Sequence, residues 1–91
     1  MIGVVIRDLP YLKLLHNICE QFIKLNVPYI IYYWDVSRGE KEYNRASLSN
    51  LNKSSPGIIK AAKKSRPFST DKQLLQYMNI DGITKMVSVE I

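Results

Sequence analysis

The sequence predicts an α/β fold, a Rossmann-like three-layer sandwich with a small, mainly parallel sheet of three or four strands. Two observations carry this. Short runs rich in β-branched and aromatic residues (IGVVI, YIIYYWDV, ITKMVSVEI) alternate with stretches whose apolar residues recur at helical spacing. A helix separates the first two runs within about thirty residues, the length of a βαβ crossover, which implies parallel neighbours and excludes a hairpin.

Ile2 to Ile6 is a nearly continuous apolar run, the pattern of a strand covered on both faces. Asp8 and Pro10 then read as a helix start, an acid to cap and a proline where a missing N–H costs nothing. From Tyr11 to Leu25 the apolar residues fall on one side, and Lys13, His16, Asn17, Glu20, Gln21 and Lys24 fall on the other. Asn26, Val27 and Pro28 end that helix. Tyr29 to Val36 is the second strand, with Tyr32 and Trp34 on one face and Tyr33 on the other. Residues 48–54 read as loosely helical or irregular. Ser55-Pro56 reads as an N-cap with proline in the first helical position, opening a helix from Ile58 to Ser65 that Pro67 stops. Lys60, Lys63 and Lys64 share its outer arc. Phe68 and its neighbours form a short strand or extended link, Ser69-Thr70-Asp71 caps a helix over Lys72–Met78, and Asp81-Gly82 is a turn. Ile83 to Ile91 is the last strand.

With 91 residues, 46% of them hydrophobic and 23% charged, residues 1–91 make one domain with an ordinary globular composition. The single cysteine, Cys19, cannot form an intramolecular disulfide, and it falls on the apolar arc of the first helix as a buried thiol. No apolar stretch approaches the ~20 residues of a membrane span, and a reducing, cytoplasmic location is expected. One Cys and one His do not make a zinc site, and no metal or cofactor is expected. His16 lies on the polar flank of its helix, with no Cys, Ser or carboxylate expected beside it.

The net charge of +5 is concentrated in the middle third. There Arg38, Lys41, Arg45, Lys53, Lys60, Lys63, Lys64 and Arg66 stand against only Glu40 and Glu42, while the flanking thirds are close to balance. Such asymmetry points to anionic partners. Open α/β sheets bind ligands beyond the carboxyl ends of their strands. Arg7 leaves the first strand there, and DVSRGEKEYNRAS leaves the second. In that segment Arg38, Lys41 and Arg45 supply charge and donors, Gly39 allows close backbone approach, Tyr43 can stack, and Asp35 stands where ribose-binding acids stand. The first connection, RDLPY, contains no glycine, which argues against a dinucleotide cradle of the usual type. The start SSPG offers free N–H groups to a phosphate, or is simply a cap.

IGVVIRDLPYLKLLHNICEQFIKLNVPYIIYYWDVSRG resembles the opening βαβ unit of the N-terminal, Rossmann-like half of GT-B type glycosyltransferases. TDKQLLQYMNIDGITKMVSVEI is similar to a later helix and strand of such halves. The resemblance implies a domain that contacts the acceptor, a sugar or phosphorylated small molecule. It also implies a fragment of a longer protein, because transferase catalysis needs the cleft between two halves and is not expected of 91 residues alone. Two other roles fit the sequence. One is non-specific nucleic-acid binding through Lys60, Lys63, Lys64 and Arg66. The other is an interaction module that dimerises through its terminal strand.

Overall fold

The computed structural model describes residues 1–7, 11–34 and 48–89. In chain order the elements are β1 (Ile2–Ile6), α1 (Leu12–Lys24), β2 (Tyr29–Trp34), α2 (Leu48–Ser54), α3 (Pro56–Ala61), β3 (Ser65–Phe68), α4 (Asp71–Ile80) and β4 (Lys85–Val89). The strands form one sheet in the order β3-β2-β1-β4, and every neighbouring pair is parallel. This is the α/β sandwich that the sequence predicts, with four strands among the described residues.

The period-two alternation of β1 and β2 divides the core into two layers. Val4 and Ile6 of β1 and Tyr29, Ile31 and Tyr33 of β2 point to one face. There they meet Leu15 and Cys19 of α1, Leu51 of α2 and Ile58 of α3. Val5, Ile30 and Tyr32 point to the other face, where Phe68 and the α4 residues Leu74 and Met78 cover them. The chain moves outward from β1 to β2 to β3 with its helices on the first face. It then returns past both strands to β4, and the reversed step carries α4 to the second face. The strand order therefore switches direction between β1 and β4.

Helix ends follow local chemistry. At the end of α1, Asn26 takes a left-handed φ of 55°. Its N–H donates to Ile23 O and that of Val27 donates to Phe22 O, which satisfies two carbonyls that the last turn leaves open. Gly82, at φ 69°, plays the same part after α4, with Gly82 N–H donating to Asn79 O and Ile83 N–H to Met78 O. At the start of α4 the Thr70 hydroxyl accepts from Gln73 N–H, and Gln73 Oε1 accepts from Ser69 N–H. Asp8 and Pro10, read as the start of α1, lie outside the described residues.

Helix α4 runs to Ile80, two residues past the sequence reading, and β4 begins at Lys85, two residues later than read. Two further differences bear on the packing. Residues 48–54 form a helix, α2, whose Leu51 is fully buried. The following helix ends at Ala61 instead of continuing to Ser65. Ala62 is extended, Lys63 N–H donates to Tyr29 O, and Lys64 O accepts from Ile31 N–H. The sheet ladder claims backbone groups that a longer helix would need, and tertiary pairing overrides the helical pattern of AAKK. Pro67 then sits inside β3, an edge strand, where a missing N–H is tolerated.

Cys19 is fully buried, and burial pushes its thiol up to about 12, partly offset by a hydrogen bond with Tyr29. Only the thiolate is an effective nucleophile. We expect Cys19 to react with a disulfide reagent at neutral pH only as fast as the domain opens, and at full speed in denaturant. A prompt reaction in the native protein would contradict this packing.

Candidate functional site

The carboxyl ends of β1, β2 and β3 meet the amino end of α4. Arg7, one residue past β1, is 35% exposed in its side chain. Its Nη2 donates to Asp71 Oδ1 at 2.9 Å, and its guanidinium lies 5.2 Å from the centre of the Phe68 ring. The ring fixes the cation while leaving it in contact with water. Asp71 is in the first turn of α4, where a carboxylate is favoured by the exposed N–H groups. Trp34, at the end of β2, donates its Nε1–H to Ser69 O at 3.4 Å.

Of the residues assigned from sequence to a ligand, Arg7 is the one within the described residues. Asp35, Arg38, Gly39, Lys41, Tyr43 and Arg45 lie outside them. The four basic residues assigned to nucleic acid are all described, but they do not share one helical face. Lys60 is exposed in the last turn of α3, Lys63 and Lys64 are exposed on the link to β3, and Arg66 is half-buried on β3. Arg66 is engaged within the domain. Its Nε and Nη2 clamp Asp81 at 2.7 and 2.8 Å, and its guanidinium lies 5.2 Å from the Tyr77 ring centre.

Asp81 is the residue that sequence reasoning missed. It sits at the C-cap of α4, where the helix dipole disfavours an anion, and its side chain has no exposed surface. Three groups compensate it. The bidentate Arg66 contact is joined by the Tyr32 hydroxyl, which donates at 2.7 Å, and by Lys64 Nζ at 3.5 Å. The hydrogen bonds from Arg66 hold the Asp81 carboxyl below its ordinary value against the opposing effect of burial, with Tyr32 and the two cations adding to them. Burial, and then the bond to Asp81, push the Tyr32 phenol well above its ordinary value. This cluster lies at the amino end of the sheet, opposite to Arg7. Its chemistry is that of a strut that ties α4, β2 and β3 together.

A second omission concerns His16. Its Nε2 is 3.6 Å from Glu20 Oε1, one turn along α1, a spacing of four that the sequence displays openly. A pocket also brings His16 together with Ser54 and Ser55, which no periodicity in the sequence connects to it. Another pocket lies between Phe22, Pro28, Tyr29 and Lys63 at the amino end of β2. Among the described residues no helix is long and apolar enough to cross a membrane. The chain matches no protein-family model, no curated protein and no solved structure.

Proposed function

We propose that this chain is a ligand-binding domain that holds a sugar or phosphorylated ligand at the carboxyl ends of its strands. The role is that of the acceptor-contacting half of a GT-B type glycosyltransferase. The observation that supports it best is the switch of strand order between β1 and β4, beside Arg7. At such a switch the neighbouring connections part to opposite faces of the sheet, and a crevice opens between them.

Arg7 supplies a forked donor for a phosphate or a carboxylate. Its present partner, Asp71, is 78% exposed, so exchanging that pair for a ligand oxygen costs little. Arg38, Lys41, Tyr43 and Arg45, which follow β2 in the sequence, are the further groups assigned to the same ligand, with Asp35 and Gly39 between β2 and Lys41.

A thermal-shift panel of nucleotide sugars, sugar phosphates and phosphorylated acceptors tests this. A ligand present at about a hundred times its dissociation constant stabilises by about 2.7 kcal/mol. In a domain of this size that raises Tm by roughly 10–20 °C. We expect at least one member to do so and Arg7→Ala to remove most of the shift. Either no stabilisation across the panel or an undiminished shift in the variant would overturn the proposal.

A further inference from the structure

The geometry points to a second site, a pocket for a phosphate group between α1 and the junction of α2 with α3. Leu12, Lys13, His16 and Asn17 from the first half of α1 face Ser54 and Ser55 across an open, shallow depression of about 360 Å³. That volume suits a small ligand. Each of the five polar residues in the lining carries a side chain that can donate a hydrogen bond: an ammonium, an imidazole N–H, a carboxamide and two hydroxyls. Among the described residues no carboxylate lines the pocket, and Glu20 touches His16 from the next turn of α1.

Ser55 is the decisive residue. It stands at the N-cap position of α3 and is only 5% exposed, yet its hydroxyl makes no cap hydrogen bond. Among the described residues that hydroxyl has no hydrogen-bond partner at all. The sequence reading of Ser55 as a capping side chain is therefore corrected. A buried hydroxyl that neither caps nor pairs carries a desolvation cost that a bound oxygen would relieve. Beside it in the lining, Lys13 makes no ion pair among the described residues and supplies a charge that can follow an anion. The site is distinct from the one proposed beside Arg7. Arg7 packs on Phe68, which belongs to the core layer under α4, whereas this pocket lies in the layer of α1, α2 and α3.

Amide chemical-shift mapping at constant ionic strength tests the assignment, with inorganic phosphate and phenyl phosphate as probes and chloride as the control. The expected result is a saturable response confined to residues 12–17 and 54–57. Ser55→Ala and Lys13→Ala should each weaken binding roughly tenfold, the size expected for a hydrogen bond to a charged group, and Arg7→Ala should leave it unchanged. Tighter binding of phenyl phosphate would assign the pocket to an esterified ligand, and tighter binding of inorganic phosphate to the free ion. Because its hydroxyl has no partner among the described residues, Ser55→Ala should also unfold at the same temperature as the parent or higher. Any one of three outcomes would overturn the assignment: no saturation with either probe, equal response to chloride, or a markedly lowered Tm in Ser55→Ala that reveals a structural partner.

Discussion

Asp81→Ala is expected to lower Tm by roughly 10–20 °C, corresponding to about 2–3 kcal/mol in a domain of this size. The carboxylate accepts three hydrogen bonds and a fourth, longer ion-pair contact, and its side chain has no exposed surface. Removing it strands the Tyr32 hydroxyl and leaves two cations facing each other. The loss falls short of the largest values for broken buried pairs because Lys64 and Arg66 retain 55% and 30% side-chain exposure and can turn to water. Asp81→Asn keeps the shape and one acceptor, and should cost about half as much. Asp71→Ala provides the contrast, since that pair is exposed and its loss should stay within about 0.5 kcal/mol. The pH dependence carries a sign. A carboxyl held below its ordinary value in the fold contributes stability that is full above the unfolded value, near 3.8, and is lost as pH falls through the folded one. The parent should therefore lose stability more steeply than Asp81→Asn below about pH 4. Urea titrations across that range measure it, and parallel curves for the two proteins would refute the role given to Asp81.

Why that residue escaped sequence reasoning is instructive. Asp81 precedes Gly82, and an Asp-Gly pair after an amphipathic stretch reads as a polar turn. The turn is present, with Gly82 left-handed, but the same step points the Asp81 side chain back under β2 and β3. Its hydrogen-bond partners, Tyr32 and Arg66, are 49 and 15 positions away in the chain, and no local pattern connects them. The strand faces, by contrast, were legible because alternation is a local property. Tyr32 and Tyr33 fall on opposite faces, as their adjacency requires. The first helix was legible for the same reason, and Thr70 caps α4 within a segment already marked for a cap. The end of α3 was not. AAKK has good helix formers, and only the pairing of Lys63 and Lys64 with β2 explains why the helix stops. As for function, a switch in strand order depends on which strands pair across the whole chain. Arg7 could be assigned to a strand end from sequence, but its place beside the switch could not.

Gly3→Val should destabilise the domain by about 2–3 kcal/mol, and the reason couples it to the Asp81 cluster. Gly3 lies in the middle of the sheet, on the face that α4 covers. A Cβ there would stand 3.0 Å from Tyr32 Cε2, 3.2 Å from Ile83 Cγ2 and 3.2 Å from Met78 Cε. The methionine end can move aside at little cost. The Tyr32 ring has less freedom, because its hydroxyl is tied to Asp81 at 2.7 Å. Alanine asks for a shift of a few tenths of an ångström, and by restricting the unfolded chain it recovers part of the strain, so Gly3→Ala should cost about 1 kcal/mol or less. Valine adds two methyl groups and must tilt the ring, pulling its hydroxyl off the carboxylate. If the strain acts this way, Tyr32→Phe should cost much less in the Gly3→Val background than in the parent. A double-mutant cycle should then return an interaction energy on the order of 1 kcal/mol. Additive costs, equal to within about 0.5 kcal/mol, would mean that valine is accommodated by Met78 and Ile83 alone and that the ring keeps its bond to Asp81.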